Sequence, residues 1–294
     1  MTHEAQVYHR LARQVEREAE RQPPTYHIHP HARIVKVLLW AAAHDRPISW
    51  ACVPANWPRR LRPRPLPSQP CMSRRLRTVG VLGLLERLQV RMRGRLPRGL
   101  LKLIDAKPLP VGGCTKDRDA AYGRAAGCKA KGYKLFTIVD HACGAWDQWQ
   151  LGAMNHPEER MAEKLLANSP GPALYVGDGI YDINRLYRLA GERGGALVAR
   201  PPKGDGVGRR RQTPERLEGL ATARSQTGEA LLTARVGIER SYGNATSFGG
   251  GLGPLPAWVR RPHRVAVWVA AKAVINMDRQ YQLLISQKDN AAAA

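Results

Sequence analysis

The 294-residue sequence predicts an α/β fold, a mixed five-stranded sheet flanked by helices and preceded by a small helical region. Apolar runs with strand character alternate with helical patterns from Leu100 onward, which is the order of an α/β domain. The residues before Leu100 show helical periodicity and an excess of basic side chains. The length allows about two domains, and no uninterrupted apolar run reaches the ~18 residues of a membrane span. We therefore expect no membrane segment and a cytoplasmic protein.

The helical region covers residues 1–99 and contains 19 Lys and Arg against six Asp and Glu. After a polar opening helix and the helical run ARIVKVLLWAAA, a proline- and arginine-rich loop leads to Ser68, a predicted N-cap. The helix that follows would project Ser73, Arg74 and Arg77 from one face. That face suits insertion into a DNA groove beside phosphates, in the manner of a helix-turn-helix. A solvated basic helix is the alternative.

The second predicted domain covers residues 100–284, and residues 285–294 form a C-terminal tail. Its five strands are LLKLI, KGYKLFTIVD, GAWDQWQLG, PALYVG and ALVAR. Its helices are PEERMAEKLLAN, YDINRLYRLAGERGG, most of residues 214–242, and the long closing stretch RPHRVAVWVAAKAVINMDRQYQLL. No strand leads into a G-x-G-x-x-G turn and no phosphate-binding P-loop occurs, which argues against a dinucleotide-binding enzyme and an ATPase.

The net charge is strongly positive, with 47 basic against 24 acidic residues, a formal charge of +23 and a pI near 10.6. Such a chain favours a polyanionic partner, and nucleic acid is the foremost one. Codon bias explains arginine in place of lysine but not the shortage of acids. The five cysteines lack C-x-x-C spacing, so we expect reduced thiols and no zinc site. We interpret the HIHPH stretch as a surface turn.

Two aspartates follow apolar strands at equivalent points. Asp105 ends LLKLI before the sequence AKPLP, whose prolines are expected to end the strand, and Asp178 ends PALYVG. If these strands are neighbours, both carboxylates lie at one edge of the sheet, and Glu239 on a later helix can pack across that edge. Three carboxylates suit hard divalent cations, two of which about 4 Å apart activate a phosphodiester for hydrolysis. Turn or capping roles are the alternative for Asp105, and the favoured interpretation of Asp140 and Asp182.

The stretches IDAKPLPV, CKAKGYKLFTIVD, GDGIYD and RVGIERSYG, followed by LPAWVRRPHRVAVWVAAKAVIN, resemble bacterial insertion-sequence transposases of the DDE class. The resemblance runs from Leu100 to Met277 in the right order. It implies an RNase H-like core and a catalytic, metal-binding triad of Asp105, Asp178 and Glu239. It also matches Arg235, four residues before the glutamate. Many members have a tyrosine and a lysine where this chain has Leu232 and Thr246; Ser241, Tyr242 and Asn244 are candidate substitutes.

The resemblance implies metal-dependent cleavage of double-stranded DNA at element ends and strand transfer into a target, with Mg²⁺ or Mn²⁺, two ions, and a homodimer on DNA. A nuclease without strand transfer and a domesticated, non-catalytic DNA-binding relative are the alternatives. Beyond the helical region, the predicted DNA-contacting residues are Lys134, Arg209, Arg210, Arg211, Arg235 and Arg240. For Lys134, a core or edge role remains open. When bound to DNA, such a protein would lie on the bacterial nucleoid.

Overall fold

The computed structural model describes residues 2–21, 28–112, 115–125, 127–201, 211–244 and 252–293. The helices are α1 His3–Ala19, α2 His31–Ala43, α3 Ile48–Ala51, α4 Gln69–Arg75, α5 Val79–Arg93, α6 Glu158–Asn168, α7 Asn184–Glu192, α8 Pro214–Ala223, α9 Gln226–Ala234, α10 Gly237–Asn244 and α11 Pro262–Ala293. The strands are β1 Leu101–Pro110, β2 Ala121–Ala125, β3 Cys128–Asp140, β4 Trp146–Ala153, β5 Leu174–Gly177 and β6 Ala196–Ala199. Short 3-10 turns occupy Pro54–Asn56 and Gly179–Tyr181.

The chain divides into two compact units. Unit 1 comprises Met1–Leu96, Asn244–Leu252 and Pro256–Ala294, and unit 2 comprises Pro97–Gly243 and Gly253–Leu255. This division differs from the predicted boundaries of 1–99, 100–284 and 285–294, which put the closing helix with the catalytic region. The physical reason is burial, because α11 packs against α2 and α5 and its residues from Val265 to Met277 are largely buried.

Unit 1 is helical, as predicted for the region before Leu100. Its helix α2 is buried along most of its length, which explains the apolar run ARIVKVLLWAAA. Helix α11 is tied to α1 by a buried ion pair in which the Arg10 guanidinium lies 2.8 Å from an Asp278 carboxylate oxygen. A buried cation of α11, Lys272, pairs with Asp45. Charged side chains thus join the first and last helices of the unit.

Unit 2 contains a six-stranded mixed sheet of order β2-β3-β1-β5-β6, with β4 also paired to β3. Strand β1 is antiparallel to β3 and parallel to β5. The predicted α/β class is confirmed, with six strands among the described residues where the sequence predicted five. The additional strand is β2, whose sequence AYGRA is too short and too rich in small residues to stand out.

The sequence predicted that the first strand ends at Asp105, but β1 continues to Pro110. Its pairing with β3 includes Asp105↔Thr137 and runs on to Pro110↔Gly132. The parallel pairing with β5 stops at Leu103↔Val176, so the rest of β1 is open on that side. Prolines are tolerated at such an open edge because no ladder hydrogen bond is required there. The prolines therefore mark the edge of a strand and not its end.

The two faces of the sheet differ in what covers them. Ile104, Phe136 and Ile138 lie in a buried apolar cluster with side chains of α6 and α7, and we call this the helix-packed face. Because side chains alternate along a strand, Asp105 and Thr137 project from the opposite face, which we call the site face. Among the described residues, no helix is long and apolar enough to cross a membrane.

Candidate active site

Asp105 lies on the site face of β1 with its side chain only 13% exposed. One carboxylate oxygen, Oδ1, accepts a hydrogen bond from the Ala106 amide at 2.8 Å. The other, Oδ2, lies 3.2 Å from Nη1 of Arg235. The carboxylate is therefore held in position by one backbone donor and one cation.

Burial dominates the electrostatics of Asp105. Removal from water raises the pKa of its carboxyl from 3.8 to about 6, although the Ala106 hydrogen bond and the Arg235 charge lower it. The negative charges of Asp178 and Glu239 raise the pKa further. Three acids that interact through their charges, with the central one partly desolvated, disfavour the fully ionised state unless cations offset it.

Asp178 follows β5, the parallel neighbour of β1. The register ends at Leu103↔Val176, two residues before both aspartates, and the negative charge of Asp178 acts on the Asp105 carboxyl. The Asp178 carboxylate accepts a hydrogen bond from the Ile180 amide at 2.9 Å and caps the 3-10 turn Gly179–Tyr181. This turn fixes the direction in which the carboxylate leaves the strand.

Glu239 lies in the first turn of α10, and its side chain is 64% exposed. The next turn of this helix is anchored to the sheet, because the buried Tyr242 hydroxyl lies 2.7 Å from Thr137 Oγ1. Ser241 accepts a hydrogen bond from the Trp146 indole at 3.1 Å and donates one to the Gly144 carbonyl at 2.7 Å. These contacts hold α10 over the site face of the strands.

Two cations lie beside the three acids. Arg235 pairs with Asp105, and the Lys107 ammonium lies 3.6 Å from Glu239 Oε2. Lys107 also stands over the Tyr242 ring, 5.7 Å from its centroid. Within the described residues, no three His, Cys, Asp or Glu side chains are grouped closely enough to hold a metal ion. In this arrangement, protein cations neutralise two of the three acids.

Arg235 and Arg240, both predicted to contact DNA, lie in different elements of the structure. Arg235 is the C-cap of α9, and Arg240 lies within α10, so a turn separates them. Arg240 is exposed, whereas Arg235 is partly covered and paired with Asp105. Leu232, which stands in place of the family tyrosine, is half-buried on α9, and Thr246 lies outside the described residues.

The other predicted DNA-contacting residues lie in different settings. Lys134 is buried, and its ammonium pairs with Glu158 Oε1 at 2.8 Å on the helix-packed face, away from the site face. Arg211 is exposed, while Arg209 and Arg210 lie outside the described residues. The structure thus does not bring Lys134 to the acids.

In unit 1, Ser68 caps α4 as predicted, with its hydroxyl 3.4 Å from the Cys71 amide. Ser73 lines a mostly apolar cavity of about 170 Å³, whereas Arg74 and Arg77 are exposed. Helix α4 ends at Arg75, so Arg77 lies in the following turn. The three side chains predicted to share one helical face therefore do not do so.

The competing acids belong to structural ion pairs. Asp140 is fully buried and pairs with Lys102, which also contacts Asp147, both at 2.6 Å. Asp182 does not cap α7, because Arg216 binds its two carboxylate oxygens at 2.8 and 2.7 Å. Neither acid joins Asp105.

Sequence reasoning missed Lys107, Thr137 and Tyr181 as neighbours of the acids. Lys107 could have been found, because a residue two positions after Asp105 on one strand shares its face. Thr137 requires the register of β1 with β3, which the sequence does not state. Tyr181 is fully buried, and its pKa is raised by burial and by the charges of Asp105 and Glu158.

Comparison with known proteins identifies the family to which this domain belongs. The family model described as a transposase DDE domain matches residues 97–252, more than half of the chain. A solved piggyBac transposase, in a synaptic complex with hairpin DNA, is similar over 97% of this chain and 74% of its own, with a TM-score of 0.51 and 11% identity. At that identity, the likeness concerns the fold. No curated protein matches the sequence. The matched domain contains Asp105, Asp178 and Glu239 in order, and the chain belongs to the transposase DDE domain family.

Proposed function

We propose that this chain cuts double-stranded DNA at the ends of a mobile element and joins the freed 3′ ends to target DNA. The observation that supports the proposal is that the charges of Asp178 and Glu239 act on the Asp105 carboxyl, with all three acids inside the matched transposase domain. The similar piggyBac structure was solved with DNA, which agrees with DNA as the substrate.

The donor set fits a divalent metal by its chemistry, although the three described side chains are not grouped closely enough to hold one in this arrangement. Three carboxylates are hard oxygen ligands of the kind that Mg²⁺ and Mn²⁺ prefer, and their mutual repulsion at Asp105 is a charge imbalance that a cation would offset. Asp105, Asp178 and Glu239 would hold two ions. Such ions supply activation of the attacking oxygen and stabilisation of the leaving oxygen of a phosphodiester.

The chain's own residues have separate tasks in this proposal. The Ala106 amide orients the Asp105 carboxylate, and the Ser241 and Tyr242 contacts fix the helix that bears Glu239. Arg235 is partly exposed, and its guanidinium can bind a phosphate oxygen when it leaves Asp105, because guanidinium groups bind phosphate through two parallel hydrogen bonds. Exposed Arg240 extends this positive surface along α10.

The proposal includes contacts outside the catalytic unit. Exposed Arg74 and Arg77 of unit 1 and Arg211 of unit 2 are proposed to contact the DNA backbone. We further propose a homodimer on DNA, since joining two element ends to one target requires two sites. The molar mass of the protein–DNA complex in solution tests this point. A mass that corresponds to a single protein chain bound to two DNA ends would contradict the homodimer.

The central experiment incubates the purified chain with DNA flanking its gene and with Mg²⁺ or Mn²⁺. We expect cleaved ends and joined products from the wild type, and loss of both from Asp178→Ala and Glu239→Ala with DNA binding retained. Glu192→Ala, which removes an exposed acid of α7, is the matched control and should stay active. Cleavage by Asp178→Ala would overturn the triad.

The product pattern separates the proposal from its alternatives. Complete cleavage without any joined product would favour a nuclease that lacks strand transfer. DNA binding with no cleavage under either metal would favour a non-catalytic relative. We expect Arg235→Ala to reduce joined products far more than it reduces metal binding, because its guanidinium acts on phosphate.

A further inference from the structure

The hairpin formed by β2 and the first part of β3 is a two-stranded ribbon with two unlike faces. We call residues 121–125 and 128–132 the basic ribbon. Its strands pair antiparallel, with Tyr122 opposite Lys131 and Arg124 opposite Lys129. Directly opposed residues project from the same face, so these four side chains share one face.

The other face of the basic ribbon consists of small residues and is covered by the protein at its two glycines, while Cys128 beside the turn is exposed. Its members are Ala121, Gly123, Ala125, Cys128, Ala130 and Gly132. A Cβ at Gly123 would lie 2.4 Å from the Met154 carbonyl oxygen, and a Cβ at Gly132 would lie 2.4 Å from the Leu109 carbonyl oxygen. The chain itself closes that side, so the basic face is the one that can meet a partner.

Like charges repel each other on the basic face, and no described acidic residue pairs with them. Arg124 and Lys129 are like charges directly opposite each other, which destabilises a strand pair. Both are exposed, and neither forms an ion pair with a residue that the structure describes. Lys131 has only a long contact, 3.5 Å from its ammonium to the Thr115 carbonyl. Tyr122 is 57% exposed beside them. An anionic partner would offset this repulsion.

The basic face and Asp105 lie on the same side of β3. Lys129, Lys131 and Thr137 are separated by even numbers of residues, so alternation places their side chains on the site face. Thr137 is directly opposite Asp105. Six residues of strand separate Lys131 from Thr137, which corresponds to about 20 Å. Eight residues separate Lys129 from Thr137, which corresponds to about 26 Å. Because phosphates repeat every ~3.4 Å along each strand of B-form DNA, the two distances correspond to about six and about eight base pairs.

We propose that the basic ribbon binds the phosphate backbone of duplex DNA about six to eight base pairs from the phosphate that is cut beside Asp105. The placement relative to the cut rests on the proposed function, whereas duplex binding by the ribbon does not. Arg124, Lys129 and Lys131 contact phosphates, and the Tyr122 hydroxyl can donate to the same backbone. Contacts of this kind position DNA without reading its sequence.

The test measures duplex binding by fluorescence anisotropy at several salt concentrations, with the full chain, DNA of arbitrary sequence and no divalent ions. The variant is Arg124→Thr/Lys129→Thr, since threonine is favoured in strands. Each lost phosphate contact should lower the slope of log K against log salt by about 0.9, so we expect a loss of about 1.8. The melting temperature should not fall, because the like-charge pair is removed.

The charge-matched control is Arg160→Ala/Lys164→Ala, which removes two exposed cations from α6 on the helix-packed face. Its salt slope should equal that of the wild type. An unchanged slope for the ribbon variant, or an equal loss in the control, would overturn the proposal. If the double variant melts early, Lys129→Gln alone is measured, with an expected loss of about 0.9.

The position is tested on element-end duplexes that extend about four or about ten base pairs beyond the cut, on either side in turn. The ribbon variant should bind the short duplex like the wild type and a long one more weakly. Equal losses on all duplexes would overturn the placement about six to eight base pairs from the cut. Wild-type protein that binds DNA but does not cut it would contradict the proposed function alone, since the salt slopes are measured without cleavage.

Discussion

Replacement of Asp105 by Asn should stabilise the metal-free protein at neutral pH while abolishing cleavage. Asparagine keeps the shape of the side chain and an oxygen for the Ala106 amide. It removes a carboxylate whose pKa is raised from 3.8 to about 6, chiefly by burial. This raised pKa already includes the lowering effect of the Arg235 charge. At 1.36 kcal/mol per pKa unit, the ionised carboxylate costs about 3 kcal/mol of folding free energy.

The sign follows from proton binding. Between about pH 4 and pH 6, the folded protein retains the Asp105 proton while the unfolded chain has released it. The free energy of unfolding of the wild type therefore falls as the pH rises through this window. Above about pH 6, ionisation of Asp105 changes it no further. Asp105→Asn has no ionisable group at this position. Its free energy of unfolding should therefore exceed that of the wild type by almost nothing below pH 3.8 and by about 3 kcal/mol at pH 7.

Urea unfolding of both proteins at a series of pH values measures this difference. The exposed Asp289→Asn on α11 controls for the loss of one negative charge. A difference between Asp105→Asn and wild type that is the same at pH 4 and pH 7 would refute the reasoning. Added Mg²⁺ should then stabilise the wild type at pH 7 but not Asp105→Asn, because an ion that binds only the folded state raises its stability.

Three further predictions concern the supports of the site and the division into units. Tyr242→Phe should cost about 1 kcal/mol in thermal unfolding, from the lost buried hydrogen bond, and should slow cleavage by loosening α10. Lys102→Met should cost about 3–5 kcal/mol in urea unfolding, because it leaves the Asp140 carboxylate buried without its cation. Residues 1–96 alone should show little cooperative melting by circular dichroism, and covalent addition of residues 256–294 should restore a cooperative transition. A cooperative transition of residues 1–96 alone would contradict the assignment of α11 to the fold of unit 1.

The sequence predicted the α/β class and the relative order of the three acids because both depend on local pattern. The strands that carry Asp105 and precede Asp178 could be inferred from apolar runs, and a helical setting for Glu239 from the mostly helical stretch 214–242. Parallel neighbours then bring the acids together without further information. The resemblance and the strand positions indicated the same residues independently.

What the sequence could not predict depends on pairing between distant segments. The continuation of β1 past Asp105 is decided by β3, and local prolines indicate the opposite. The membership of α11 in unit 1 is decided by contacts such as the one between Arg10 and Asp278, which are 268 residues apart. Lys134 was assigned to DNA because its partner, Glu158, could not be foreseen.

Unit 1 is assembled from the first and last parts of the chain, with unit 2 between them, and this order matters during synthesis. A ribosome adds roughly 5–20 residues per second, so the helices before Leu96 wait many seconds for α11, while the sheet of unit 2 is already complete. A chain that terminates early, before Pro262, lacks α11 altogether. Premature stop mutations in the 3′ part of the gene would thus yield a transposase DDE domain without a folded helical unit, and not a smaller working protein.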